Sequence, residues 1–402
     1  MNICLISLEY PPESLNGGIG TYTFNLAHAL VNLGHKVSII STASVGEKEY
    51  YDQKVKIYRI FDKRLIPKFD RIGNIITAGA FGSWQHSLSV FSKLRHLISK
   101  GNQFDIIEGP LWGAECSAYS ANLGIPLVVR LQTPIFKQRE ILGLPANPLM
   151  EFLEKKSLQK ATLIASISHN ISKLITERYR IENSKVVYSP LGVDSKKIQK
   201  PYFKTNSYRL LFVGRLEKRK GMQELVDAMP RILSSNYRIT IDIIGKDCFQ
   251  APGDTSYIDY FHKVVPSELR GRVKFHGFVD ERKLQDFYAD CDVFIAPSRY
   301  ESFGLIFLEA MVYGKPVIGT RAGGIPEIIN DGQNGLLIDI NNSDQIASAV
   351  LSLFSDNNLR MKLGMHAYKD VRNRFSVENM AQKSLEVYNK AIASFKNYEK
   401  RK

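Results

Sequence analysis

The sequence predicts an α/β protein built from two doubly wound parallel-sheet domains in tandem. Three observations predict it. Short apolar, β-branched runs alternate with helical patterns along the whole chain, as in repeated strand–helix–strand units. The runs fall into two series separated by a polar join. The 402 residues, at roughly 100 to 200 per domain, leave room for two or three separate cores.

The first series is Ile3–Leu8, Lys36–Ser41, Phe104–Glu108, Pro126–Leu131 and Leu163–Ser168. The second is Arg209–Val213, Ile239–Ile244, Val273–His276, Val293–Ala296, Pro316–Gly319 and Gly335–Ile338. The join falls near Ser189-Pro190-Leu191-Gly192-Val193-Asp194 and the polar stretch after it, where Pro, Gly and Lys interrupt both periodicities. The expected domains are therefore 1–190 and 191–375. Segment 376–402 follows, with apolar Met380, Leu385, Val387, Tyr388 and Ile392 marking an amphipathic helix from Val377 to about Ala393 that packs back toward the first domain. No repeat of about 20 to 50 residues interrupts this plan.

Composition removes several classes. With 44% hydrophobic and 23% charged residues the chain is ordinarily globular, neither disordered nor collagen-like. Cys4, Cys116, Cys248 and Cys291 lie far apart without a CxxC pair, so neither a zinc ribbon nor a disulfide framework is encoded and a reducing compartment is expected. No run approaches the roughly 18 apolar residues of a membrane helix. MNICLISLEYPP has no basic start and soon meets Glu9, so it reads as a first strand and not a signal peptide. The expected location is cytoplasmic, with the inner face of a membrane as a docking place.

Charge is the unusual bulk property, 54 Lys+Arg against 40 Asp+Glu for a net +14. Residues 51–100 and 351–402 carry most of the surplus. Such patches attract anions, whether nucleotide phosphates, acidic lipid or nucleic acid. Nucleic acid is disfavoured because the cations lack the interleaved aromatic platform that strand binding uses.

The densest chemical signal is YESFGLIFLEAMVYGKPVI from Tyr300. A strand ends at Ala296-Pro297-Ser298, and Ser302 is placed to cap a helix whose N–H groups, from Phe303 and Gly304 onward, face the strand ends. A helix start of this kind suits phosphate. Glu301 and Glu309, eight residues apart, can meet one elongated ligand at two places, each accepting from a pair of hydroxyls as on a sugar or ribose. Solvated helix charges would be the bland reading of such a pair. The neighbouring strand end, glycine and cations argue against it.

Those cations stand in Gly214-Arg215-Leu216-Glu217-Lys218-Arg219-Lys220-Gly221. Arg215 and Lys220 sit on the loop at a strand's carboxyl end, and a guanidinium fork with a point charge can neutralise a diphosphate leaving group. Lys218 and Arg219 read as solvated charges. Gly17-Gly18-Ile19-Gly20-Thr21-Tyr22 opens the first helix, but it follows Leu8 too distantly for a dinucleotide fingerprint and no acidic residue ends the second strand at Ser41. It reads instead as a flexible loop facing a ligand.

The order GGIGTY, SPLGVD, GRLEKRKG, HGFVD, APSRYESFGLIFLEAMVYGKPVI and GGIPEII resembles the retaining nucleotide-sugar glycosyltransferases of the GT-B fold, family 4 (group 1 glycosyl transferases). The resemblance covers essentially the whole chain and is strongest from 209 to 340. It implies two Rossmann-like doubly wound domains facing a cleft, the first on the acceptor side and the second holding the nucleotide sugar. It further implies that Arg215 and Lys220 hold the donor diphosphate, Glu309 the ribose hydroxyls and Glu301 the transferred sugar. Backbone groups of Ser302, Phe303 and Gly304 would meet phosphate and sugar. Gly17 and Gly18 would close on the phosphates, and the backbone around His276, Gly277 and Phe278 would edge the base. No cofactor and no metal are expected. UDP is the default donor base, with GDP and ADP open, and the acceptor is a hydroxyl of a glycan, a lipid-linked group or a small molecule in polysaccharide or glycoconjugate synthesis.

One departure stands out. Similar enzymes often carry a histidine at the end of the strand that here runs Val128-Val129-Arg130-Leu131 into Gln132 and Thr133. Gln132 can orient a sugar hydroxyl but cannot titrate, so it is a donor contact and not a base. Arg130 and Thr133 are further candidate contacts. Asp290-Cys291-Asp292 matches a metal-binding D-x-D pattern but precedes a strand, which favours a structural role. His262, His276 and His366 lack the spacing of a zinc site. For Lys63–Arg71, docking onto anionic lipid or an anionic acceptor and a plain charged loop stand level. The function expected is retaining hexosyl transfer; a nucleotide-sugar epimerase and a noncatalytic basic membrane- or nucleic-acid-binding protein are the rivals.

Overall fold

The computed structural model describes residues 1–13, 17–61, 79–196, 198–203 and 207–399. The basic segment 63–71 lies outside them. The chain divides into two compact units, Met1–Gly192 with Val377–Lys402, and Val193–Ser376.

The first unit carries eight strands: β1 (Asn2–Ile6), β2 (Lys36–Thr42), β3 (Lys48–Asp52), β4 (Val55–Ile60), β5 (Ile106–Pro110), β6 (Leu127–Arg130), β7 (Leu163–Ser166) and β8 (Val186–Tyr188). Their order is β3-β4-β2-β1-β5-β6-β7-β8. All pairs are parallel except β3–β4. Three of these strands depart from the five expected. β3 is a polar, largely exposed edge strand, and it turns into β4 through Gln53-Lys54, with Gln53 at φ 54° where a turn signature would show Gly or Asn. β8 has only three residues, none fully buried. Arg59 on β4 is buried and donates to the carbonyls of Tyr10, Pro11 and Thr42, which ties down the chain beyond β1.

The helix Val377–Glu399 packs on β6, β7 and the helix Gly18–Asn32. Polar groups bind it as well as apolar ones. Arg130 at the end of β6 is buried and meets Glu108 on β5 through Nε–Oε1 at 2.8 Å and Nη2–Oε2 at 3.0 Å. Arg130 also donates to Ser384 Oγ at 2.9 Å, while Tyr388 OH donates to Glu108 Oε2 at 2.9 Å. A buried charge is tolerated when it is paired and its remaining hydrogen-bonding positions are filled.

The second unit has the six strands expected, β9 (Arg209–Val213), β10 (Thr240–Ile244), β11 (Val273–Phe275), β12 (Val293–Ile295), β13 (Val317–Thr320) and β14 (Gly335–Ile338). Their order is β11-β10-β9-β12-β13-β14, all parallel. Apolar Leu210, Phe212, Ile241 and Ile243 pack against Met222, Leu225, Met229 and Ile232 of the helix Met222–Ser235. The loops after β9, β10, β11, β12 and β13 leave one edge of this sheet, the carboxyl edge where doubly wound folds collect ligand-binding groups.

Candidate active site

After β9 the chain makes a short 3-10 turn, Lys218–Lys220, and enters the helix Met222–Ser235 through Gly221 at φ 69°. A Cβ there would stand 1.9 Å from the Pro297 carbonyl oxygen, so only glycine lets the β9 loop lie against the β12 loop. That contact brings Lys220 to Glu301. Lys220 Nζ donates to Glu301 Oε1 at 2.5 Å, and Ser298 Oγ donates to the same oxygen at 3.0 Å. From the other side Gly323, at φ 58°, brings the β13 loop against the Glu301 carbonyl, 2.1 Å from where its Cβ would be, and Gly324 N–H donates to that carbonyl at 2.8 Å. Two glycine approaches thus hold the Glu301 loop between its neighbours.

Arg219 corrects the sequence reading. It is no solvated charge: its side chain is 17% exposed, with Nη2 2.8 Å from Glu217 Oε1 and Nη1 3.5 Å from Glu301 Oε2. The site therefore holds a charge cluster of two cations and two carboxylates. Burial would raise the Glu301 carboxyl, but Lys220 and Arg219 outweigh it and hold the group below the usual carboxylate range. Burial draws the Lys220 ammonium below its usual value, with Glu301 opposing. Arg215 differs, with a side chain 60% exposed and Nη2 3.4 Å from Glu217 Oε2.

Ser302 does not cap the helix. The helix is Leu305–Val312 and its N-cap is Gly304, at φ 115°, with no side-chain cap. The first N–H groups of such a helix have no intrahelical acceptor. Phe303 is buried against Phe375. Glu309, on the same helix, accepts from the buried Tyr288 hydroxyl at 2.8 Å. His276 pairs through Nε2 with Asp242 Oδ1 at 2.7 Å, Gly277 O accepts from Gly245 N–H at 2.9 Å, and Phe278 is exposed. Arg215, Lys220, Glu301, Ser302, Phe303, Gly304, Glu309, His276, Gly277 and Phe278 all belong to the second unit.

Gly17, Gly18 and Gln132 belong to the first. Gly17 is the N-cap of Gly18–Asn32, and the Glu9 carboxylate accepts from Gly20 N–H at that helix start. Gln132 Oε1 accepts from the N–H groups of Leu111 and Trp112 at 2.9 and 3.2 Å, so it braces the β5 loop. Arg130 is buried and held by Glu108 and the Ser189 carbonyl. Asp290 and Asp292 both engage Arg209. Among the described residues no group of three or more His, Cys, Asp or Glu is arranged to hold a metal ion, and no helix is long and apolar enough to cross a membrane.

Sequence reasoning missed Arg219, Ser298, Tyr288 and Asp242. Arg219 had no signal of its own inside a run of charges. Ser298 could have been found from its place at the end of β12, three residues before Glu301.

Two doubly wound parallel-sheet units, the second with charged loops at its carboxyl edge, define the GT-B fold. Solved structures agree on the fold. A sucrose-phosphate synthase from Thermosynechococcus elongatus matches with TM-score 0.78 and 20% identity over 98% of this chain and 99% of that one. HepE from Anabaena in complex with UDP-glucose matches with TM-score 0.71 and 18% identity over 97% and 100%. Residues 193–370 match the family described as Glycosyl transferases group 1, and 16–197 match Glycosyltransferase Family 4. The chain belongs to these glycosyltransferases. An uncharacterized glycosyltransferase of Methanocaldococcus jannaschii is 27% identical over 98% of this chain and 99% of its own. A D-inositol 3-phosphate glycosyltransferase of an Arthrobacter species is 27% identical over 96% and 93%.

Proposed function

We propose that the protein transfers a hexosyl unit from a nucleotide diphosphate sugar, with UDP as the favoured base, to an acceptor hydroxyl with retention at the anomeric carbon. The observation that carries this reading is the cluster of Lys220, Arg219 and Glu301, with Glu301 on the loop that leads directly to the uncapped helix start at Gly304. HepE, whose structure was solved with UDP-glucose, has the same fold.

In this reading the bond between the anomeric carbon and the diphosphate oxygen breaks, and the electron pair goes to the diphosphate. The acceptor oxygen bonds to the anomeric carbon on the same face, and its proton passes to a leaving-group phosphate oxygen. Lys220, the exposed Arg215 and the N–H groups after Gly304 stabilise the charge that develops, because they are in place before it does. These protein cations do the work without a metal ion. Glu301 receives hydroxyls of the transferred sugar and orients Lys220, Glu309 receives the ribose, and the backbone at His276–Phe278 borders the base.

A thermal-shift screen of UDP, GDP, ADP and their sugars tests the assignment, since a ligand that binds the folded state raises its melting temperature. Stabilisation by a UDP sugar and by UDP is the expected result. No shift with any of the nucleotides would overturn it. An epimerase would release free nucleotide from the donor with no acceptor present, and chromatography of that reaction separates the two.

A further inference from the structure

The sheet of the first unit has a second edge, where its strands begin, and that amino edge carries an open groove of about 700 Å³. Doubly wound folds collect substrate groups at the opposite, carboxyl edge. Asn2 begins β1, Lys36 begins β2 and Lys56 lies at the start of β4. Strand register sets their side chains in one row. Asn2 pairs with Lys36; Ser38, two residues on, pairs with Lys56, and Lys56 pairs across the hairpin with Tyr51. Residues paired in register share a face of the sheet, and alternate residues of a strand return to it. Asn2, Lys36, Ser38, Lys56 and Tyr51 therefore all stand on the same face, and all line the groove.

The groove is basic. Lys54, in the hairpin turn, joins Lys36 and Lys56 in the lining, and no Asp or Glu is among the described residues there. Lys56 is partly engaged, with Nζ 2.6 Å from Glu49 Oε1 and 5.0 Å from the centre of the Tyr58 ring. Lys36 and Lys54 are exposed and have no ion-pair partner among the described residues. His35 adds no charge at pH 7, because burial and the Met1 amino group beside it draw its imidazole below the usual value. Two unneutralised ammonium groups, with a third shared, match the charge of about −1.5 to −2 that a phosphate monoester carries near neutral pH. The rest of the lining suits a planar ring. Tyr51 is 65% exposed, Phe104 is half-buried, and the side-chain amides of Asn2 and Gln103 can each donate and accept.

We infer that this groove is a second, noncatalytic binding site, and that its ligand is a nucleoside phosphate. The phosphate lies among Lys36, Lys54 and Lys56, the base stacks on Tyr51, and the amides of Asn2 and Gln103 meet the edge of the base. A lipid surface fits the groove less well. Tyr51 is the one exposed large apolar side chain among the described residues that line it, and shallow insertion into a bilayer needs several. The inference is independent of the donor reading, whose charge cluster belongs to the second unit.

Equilibrium dialysis on the full chain tests it with AMP, GMP, CMP and UMP, each beside its nucleoside, inorganic phosphate and glucose 6-phosphate. At least one monophosphate should bind about tenfold or more tightly than all three of its comparison ligands, because charge and stacking act together. Its affinity should fall by about tenfold in Tyr51→Ala and at least as far in a Lys36→Ala, Lys54→Ala double variant. Lys220→Ala, which alters the donor site, should leave it unchanged. Lys36, Lys54 and Tyr51 are exposed, so their replacement keeps the fold, and circular dichroism checks that it does. Lys54→Glu, which reverses one charge, serves as a further variant with the same expected loss. Absence of binding by all four monophosphates, or equal binding of inorganic phosphate or glucose 6-phosphate, would overturn the assignment. So would affinity that survives the double variant, or loss of all monophosphate binding in Lys220→Ala.

Discussion

Lys220 Nζ and Glu301 Oε1 lie 2.5 Å apart although 81 positions separate them in the chain. The loops after β9 and β12 bring them together, and neighbouring central strands of the second sheet carry those loops. Replacing Lys220 by Ala should lower kcat by roughly 100- to 1,000-fold, the usual effect of losing one group that stabilises transition-state charge. Far-ultraviolet circular dichroism should stay unchanged. Near-normal turnover would remove Lys220 from the mechanism.

Glu309 shares its carboxylate with the Tyr288 hydroxyl. Glu309→Ala should weaken UDP binding by about tenfold, about 1.4 kcal/mol, as measured by calorimetry. Tyr288→Phe removes the internal hydrogen bond but not the carboxylate, and should leave UDP affinity within about twofold. A UDP Kd unaffected by Glu309→Ala would show that the ribose is held elsewhere.

Gly221 separates Lys220 from the helix that follows. Gly221→Ala forces a side chain into the left-handed region and against the Pro297 carbonyl, at a cost of about 2 to 4 kcal/mol. Differential scanning calorimetry should record a melting temperature lower by roughly 5 to 10 °C. An unchanged transition would show that the two loops do not pack as described.

Removing Arg130 leaves Glu108 buried with its cation gone. Arg130→Ala should cost about 3 to 5 kcal/mol. Because Arg130 also reaches Ser384, hydrogen exchange in residues 377–397 should accelerate first. Protection of that segment at wild-type level would mean that its apolar face alone holds it.

Glu154 makes stability fall with rising pH. Its carboxyl is pushed by burial from 4.5 up to about 8 in the folded chain, so between those values the native state retains a proton that the unfolded state has released. The group's contribution is whole below about pH 4.5 and declines until about pH 8. Glu154→Gln keeps the shape without the titration, so its melting temperature should fall less than that of the unaltered chain between pH 5 and 8. Parallel curves would show that Glu154 does not titrate in this range.

In the second unit β9, β10, β12 and β13 were legible because strands buried on both faces read as near-continuous apolar runs. The β3–β4 hairpin and β8 were not, since an exposed polar edge strand and a three-residue strand have no such pattern. In the site, Lys220 and Glu301 could be singled out from loop position and residue type. Arg219 could not: within Glu217-Lys218-Arg219-Lys220 the four side chains are equally polar, and only the turn at Lys218–Lys220 decides which of them faces inward. The cap was misplaced because a serine two residues before Gly304 carries the capping chemistry, whereas the backbone enters the helix at the glycine.

By itself the sequence determined the two-domain α/β plan, the family and the residue types of the donor loops, because periodicity, glycine placement and motif order are local properties of a chain. Tertiary structure alone decided which charges pair. It turned Arg130 into a buried brace for the last helix and drew Arg219 to Glu301. Those outcomes depend on distances between residues far apart in the chain, and at a few ångströms in a poorly solvated interior such distances govern the energy of a charge.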